Sequence, residues 1–241
     1  MKKISIGNED ALLAIDVQPT FMSCGELAVR DGHLIVPVIR RLMDVFDKKR
    51  RYASKDWHPK GHVSFASSYV FTDTPVIAVA DVRQWIETNA AYLSCNARFN
   101  VFELLQYLAV VGEQRLWPEH GVADTPTARL HPAFKESEFK AIINKGASPL
   151  ADSYSAFRDN GGEATKLAAL LHADDIKRCF FVGLAEDFCV GWSALDAVKM
   201  GFMAYVIEDA TRPVDWNGSQ AAIRKSFAER GVKVIQSTDI L

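Results

Sequence analysis

Three side chains suited to acyl chemistry each follow a different apolar run. Asp16 closes Ala11–Leu12–Leu13–Ala14–Ile15, and Lys145 follows Phe139–Lys140–Ala141–Ile142–Ile143. Cys189 comes a few residues after Cys179–Phe180–Phe181–Val182–Gly183–Leu184. In an open parallel α/β sheet the carboxyl ends of the strands share one edge, where ligands bind. Residues far apart in sequence would meet on that edge. A thiol there is a nucleophile and a carboxylate a base. A lysine between acidic partners holds the carboxylate ionised and stabilises negative charge on a substrate. Taken singly, each residue has a plainer reading. Asp16 could cap the turn Gln18–Pro19–Thr20, Lys145 could sit on the surface, and Cys189 could be an inert residue of a helix start.

A second constellation predicts a metal. Asp56-x-His58 ends another short strand, with the two side chains on one face. His62 follows four residues later, and His120 sits in Trp117–Pro118–Glu119–His120. Two imidazoles and one carboxylate suit zinc, iron or manganese, with positions left open for water and substrate. His33, His131 and His172 are given no role.

The elements that must position these groups alternate in a βα rhythm. Strands are expected at 11–16, 51–55, 139–144, 178–184, 203–208 and 233–236. Helices are expected at about 34–48, 163–172, 187–200 and 217–230. Near-continuous apolar strands alternating with helices predict an α/β fold, an open doubly wound parallel sheet with helices on both faces. The segment Gly183–Val190 passes from strand to helix through a tight turn. Asp187 reads as the N-cap, which puts Cys189 in the first helical turn, where the helix dipole lowers a thiol pKa. Residues 66–112 break the rhythm with two helical patterns. One is Val82, Trp85, Ile86, Asn89 and Leu93. The other is Phe102, Leu105, Leu108 and Ala109, widened by Leu104 and Val111. They read as a helical insertion, serving packing, a subunit interface or a lid, within a single domain over 1–241.

The bulk numbers exclude several classes. A net charge of −2 gives no electrostatic footprint for nucleic acid or an anionic membrane. No apolar stretch approaches the roughly 20 residues of a membrane span, and the first residues lead into no apolar signal core. Four cysteines without a CxxC pair form no disulfide framework. A cytoplasmic protein is expected, with Cys179 a buried strand residue.

The ordered motifs resemble those of nicotinamidases (pyrazinamidases) among the isochorismatase-like cysteine hydrolases. They are Ala14-Ile15-Asp16-Val17-Gln18, Lys55-Asp56-Trp57-His58-Pro59, His62-Val63-Ser64-Phe65, Leu116-Trp117-Pro118-Glu119-His120, Asn144-Lys145-Gly146, Asp152-Ser153-Tyr154-Ser155-Ala156-Phe157 and Gly183 through Val190. They run in the family's order and cover nearly all of the chain outside 66–112. The resemblance implies a catalytic triad of Asp16, Lys145 and Cys189, and one divalent metal ion on Asp56, His58 and His120. It makes His62 a fourth ligand or a residue just behind the ligands. It also implies an oxyanion hole from the backbone N–H groups of Ala185 and Cys189, and a pyridine ring held between Phe21 and Trp117. A non-proline cis peptide is expected between Ala185 and Glu186. The implied activity is hydrolysis of nicotinamide, and of pyrazinamide, through a thioester in NAD salvage. No organic cofactor is implied, and a homo-oligomer is. The alternatives are a related cysteine hydrolase for another carboxamide, carbamoyl or ureido substrate, and a binding protein with a structural metal. Thr20 stands where the family usually has Asp, and Met22-Ser23-Cys24-Gly25 where it has Cys or Pro-Gly-Gly. The 66–112 insertion is also longer than in most members. That insertion and the changed stretch around Phe21 are both expected near the pocket mouth, so they bear on ring substituents and affinity more than on chemistry.

Overall fold

A computed structural model describes residues 3–69, 81–89, 99 and 101–241. Six strands form one parallel sheet: β1 (Asp10–Ile15), β2 (Arg51–Asp56), β3 (Ala141–Lys145), β4 (Arg178–Leu184), β5 (Met203–Arg212) and β6 (Lys233–Ile235). Their order is β3-β2-β1-β4-β5-β6. β1 is buried throughout, and its side chains alternate between the two faces. Ala11, Leu13 and Ile15 enter one core, Leu12 and Ala14 the other. That is the pattern of a parallel strand covered on both sides.

α1 (Ile35–Val45) covers one face through Ile35, Ile39, Leu42 and Met43, the i, i+4, i+7, i+8 stripe of an amphipathic helix. α4 (Leu167–Ala173), α5 (Gly191–Lys199) and α6 (Ser219–Arg230) cover the other with Leu167, Leu171, Ala194, Ile223 and Phe227. The expected doubly wound sheet is present.

Several boundaries differ from expectation for local reasons. β3 starts at Ala141 because Phe139 closes the short turn Glu136–Glu138 and packs its ring into the core. α4 starts at Leu167 because the residues before it form a loop. Arg158 bridges to Ala164 there, and Asp159 Oδ1 accepts from the Glu163 N–H at 2.8 Å. The helix expected over 187–200 divides into a wide turn, Glu186–Val190, and α5.

Both helical patterns of the 66–112 segment form helices, α2 (Val82–Asn89) and α3 (Val101–Val111). Leu93 and Cys95 lie outside the described residues. The buried face of α3 is rotated from the expected one. Leu104 and Leu108 pack with Val63, Tyr69, Val82, Trp85 and Phe99 in a third core, while Phe102 and Leu105 face outward.

Candidate active site

β1 and β4 are neighbours at the point where the strand order reverses, which is where an open α/β sheet leaves a crevice. Asp16 follows β1 and Cys189 follows β4, so both stand at that crevice. Lys145 ends β3 and Asp56 ends β2. Asp16 takes a left-handed φ of 48°, a conformation Asp tolerates better than most residues, and this turns the chain off the strand. Gly183 (φ 112°) lets β4 lie close to β1, since a Cβ there would run into the Ile15 carbonyl.

Lys145 is fully buried and joins the three acidic groups. Its ammonium donates to Asp56 Oδ1, to the Ser153 carbonyl at 2.8 Å and to Cys189 Sγ at 3.5 Å. Those bonds use all three N–H donors of a lysine. Asp16 Oδ2 lies 3.0 Å from the same nitrogen as an ion pair. Asp16 Oδ1 accepts from Ser54 Oγ at 2.7 Å. Oδ1 thus faces Ser54 and Oδ2 faces the lysine. Acceptor atoms of Asp16, Asp56 and Cys189 lie within 4.8 Å of one another.

Burial raises the Asp16 carboxyl to about 6, against the pull of Lys145. Burial likewise pushes the Cys189 thiol well above its ordinary value, with Lys145 opposing. Burial alone would lower the Lys145 pKa, but Asp16 and Asp56 outweigh it and hold the ammonium charged. The resting state at neutral pH is a thiol beside a carboxylate that can take its proton.

The predicted metal trio also converges. His58 Nδ1 lies 2.9 Å from the Gly146 carbonyl, and His120 Nδ1 lies 2.8 Å from the Pro118 carbonyl. A carbonyl only accepts, so each Nδ1 carries the proton and each neutral ring offers Nε2 as a lone pair. Both Nε2 atoms face Asp56 Oδ2, at 3.7 and 3.6 Å. Three buried acceptors turned toward one another, too far apart to hydrogen-bond, fit a small divalent cation. The field agrees with the geometry. Burial would lower the His58 pKa, but Asp56 overrides it and draws positive charge to the site. His120, desolvated and beside His58, is pushed down to about 4.

His62 stacks on His58 with ring centroids 4.2 Å apart. Its Nδ1 meets Ser64 Oγ at 2.8 Å and its Nε2 the Ala151 carbonyl at 3.2 Å. With both nitrogens engaged, His62 backs His58.

A narrow cavity opens onto Cys189, walled by Phe21, Trp117, Tyr154, Ala185 and Phe188. Trp117 Nε1 donates to Tyr154 Oη at 3.1 Å, fixing the indole plane. No described residue of the 66–112 segment lines this cavity. The cis peptide joins Leu184 to Ala185, one bond earlier than expected, because the turn begins directly where β4 ends. Asp187 is not a cap. It is buried in the wide turn, and its carboxylate accepts from the Val214 and Asp215 N–H groups at 2.9 and 2.8 Å and from Ser219 Oγ.

Sequence reasoning passed over several supports. Gln18 bridges two strand ends, accepting from the Asp56 N–H at 2.8 Å and donating to the Asp56 and Ala128 carbonyls. Ser54 and Asp152 are also buried at the site. For Gln18 and Ser54 the one available signal was a polar side chain inside or just beyond an apolar run, while Asp152 had only its place in a family motif.

A buried thiol, lysine and carboxylate at a sheet switch point, beside a Asp-His-His cluster, define a hydrolase class. The isochorismatase domain matches residues 10–239, and the chain belongs to that family. It is 36% identical over 235 residues to a nicotinamidase of Acinetobacter baylyi, an alignment covering 97% of this chain and 95% of that protein. A solved nicotinamidase/pyrazinamidase of Acinetobacter baumanii superposes with a TM-score of 0.79 at 34% identity, covering 98% of this chain and 99% of the other. A pyrazinamidase of Pyrococcus horikoshii, solved in complex with zinc, superposes with a TM-score of 0.67 at 28% identity, over 95% of this chain and 99% of the other.

Proposed function

We propose that this protein is an amidohydrolase that converts nicotinamide to nicotinate and ammonia through a thioester on Cys189, and that it also accepts pyrazinamide. The observation that carries the reading is the convergence of a buried carboxylate, ammonium and thiol, with Lys145 Nζ 3.0 Å from Asp16 Oδ2 and 3.5 Å from Cys189 Sγ. Its kinship with nicotinamidases supports the choice of substrate.

Asp16 takes the Cys189 proton as the sulfur attacks the carboxamide carbon. The backbone N–H groups of Ala185 and Cys189 hold the oxygen that gains the negative charge. Asp16 then gives the proton to the departing amine, and ammonia leaves a thioester behind. A water that loses its proton to Asp16 attacks the thioester carbon. Asp16 returns that proton to the Cys189 sulfur as the C–S bond breaks, and the acid product loses its remaining proton to solvent and departs as nicotinate. Lys145 stays charged throughout and holds the two acids and the sulfur in register. Phe21 and Trp117 clasp the ring. Asp56, His58 and His120 would hold a divalent metal, supplying a Lewis acid for the ring nitrogen.

The same reading places the chain in NAD salvage and the cytoplasm, as one catalytic domain with a helical insertion. Outward-facing Phe102, Leu105 and Val110 on α3 support a homo-oligomer. Ammonia release from nicotinamide by metal-reconstituted protein tests the function. Turnover should be lost in Cys189→Ala while ring binding, read by tryptophan fluorescence, survives. Undiminished turnover in that variant would eliminate the thioester route. Release from other carboxamides or ureides but not nicotinamide would favour a sister hydrolase.

A further inference from the structure

The turn after α3 delivers a buried glutamine toward the catalytic lysine. Gln114 is 1% exposed, and every polar atom of its amide has a partner. Nε2 donates to the Arg115 carbonyl at 2.8 Å and to Asp152 Oδ2 at 3.0 Å, while Oε1 accepts from Tyr107 Oη at 2.5 Å. Tyr107 Oη in turn accepts from the Asp152 N–H at 3.2 Å, closing a ring of three residues. Asp152 Oδ1 accepts from the Ser153 N–H at 2.8 Å, and the Ser153 carbonyl receives Lys145 Nζ at 2.8 Å. The Gln114 carbonyl also takes the N–H of Val82, the first residue of α2, at 2.9 Å. Both helices of the 66–112 segment are thus tied to the residue that receives the lysine.

We propose that Tyr107, Gln114 and Asp152 form a positioning relay. Through it the two-helix segment fixes the Ser153 carbonyl, and with it the direction of the Lys145 ammonium toward Cys189. The proposal rests on the reading of Lys145 and Cys189 as catalytic groups. Two features of the relay favour positioning over simple packing. A saturated hydrogen-bond ring with Gln114 and Asp152 buried and Tyr107 partly buried favours one arrangement, because rotating either buried member strands a polar atom away from water. Lys145 has three donors and uses the Ser153 carbonyl as one of three acceptors. Displacing that carbonyl by a fraction of an ångström frees one N–H and swings the other two, one of which points at Cys189 Sγ.

Tyr107→Phe deletes one hydroxyl, leaves the α3 packing in place and unpairs Gln114 Oε1. Three readouts apply to the metal-reconstituted full chain. The first is the rate of iodoacetamide alkylation of Cys189 at one fixed pH, which needs no substrate. The second is the division of nicotinamide kinetics between kcat and KM, and the third is the melting temperature. Alkylation and kcat should both fall about tenfold with KM within twofold, the scale on which partners behind functional groups act. Leu104→Val is the packing control. It thins the same helical core without touching the relay, so it should lower the melting temperature and leave alkylation and kcat at wild-type values. Gln114→Ala should repeat the Tyr107→Phe effect, and where it fails to fold the hydroxyl deletion alone decides. Wild-type alkylation and kcat in folded Tyr107→Phe would overturn the relay, as would Leu104→Val slowing both as much as Tyr107→Phe. A reactive Cys189 in a wild type that releases no ammonia from nicotinamide would count against the function. The alkylation comparison would still judge the relay.

Discussion

Asp16 has its two oxygens in different surroundings, and the difference sets a pH dependence. Oδ1 is held by Ser54, and Oδ2 is ion-paired with Lys145. Burial brings the carboxyl to about 6. Only the ionised form can take the thiol proton, so kcat/KM should be lost as pH falls through about 6 and be retained above it. Ser54→Ala removes a bond that favours the carboxylate. The Asp16 pKa then rises, and the acid limb should move up by about one pH unit. A limb that stays in place in Ser54→Ala would assign the titration to another group. Asp16→Asn should abolish the limb along with most of the turnover, since an amide cannot accept the proton.

The strand ends and the turns after them hold the candidate site, and Gly146 shows how little freedom they have. It follows β3 with φ 59°, its carbonyl accepts from His58, and a Cβ on it would collide with the His58 ring. Gly146→Ala should cost about 1–2 kcal/mol for the left-handed backbone alone. It should also displace His58 and lower metal affinity, measurable by competition with a chromogenic chelator. Unchanged affinity would mean that the ring relaxes without moving Nε2. This element scale is also where the sequence was most readable. β1 and β4 are uninterrupted apolar runs, so their ends, and with them Asp16 and Cys189, could be placed from the chain alone. Lys145 is legible as the polar residue that ends an apolar run, whichever residue begins β3. The turn carrying Cys189 was harder. Asp-Phe-Cys after a strand has the letters of a capped α-helix, whereas Phe188 breaks the helical dihedrals and Asp187 reaches across to the start of α6. Trp117 and Phe21 sit in loops without periodicity, so only the family motifs marked them, whereas His120 stood out as an imidazole beside a proline that could complete the Asp-x-His pair. Gln114 and Asp152 carry no local signal, since their partners come from segments that meet only in the folded chain. The outward turn of Phe102 has the same origin. α3 offers apolar residues on most sides, and Trp85 and Val63 select Leu104 and Leu108 for the core.

Across the whole molecule, the metal trio draws together parts of the chain that no single element holds. Asp56 ends β2, His58 lies in the turn beyond it, and His120 comes from a distant loop whose Gly121 carbonyl accepts from the His58 N–H at 2.9 Å. In the absence of a cation, two imidazole lone pairs face a carboxylate in a buried site, which opposes folding. A cation that binds this arrangement and not the unfolded chain stabilises the fold by mass action, by about 2.7 kcal/mol at a free concentration of one hundred times Kd. For a chain of this length that corresponds to a rise in Tm of about 5–10 °C. Dialysis against a chelator should lower Tm by that amount, and Zn2+, Mn2+ or Fe2+ should restore it in a concentration-dependent way. Asp56→Asn should abolish the dependence. Because that variant also loses the Lys145 ion pair, His120→Ala, which touches no lysine contact, serves as the second arm and should flatten the response equally. A Tm indifferent to metal in the wild type would reduce the trio to a set of buried hydrogen-bonding groups. The ring would then have to be oriented by Phe21 and Trp117 alone.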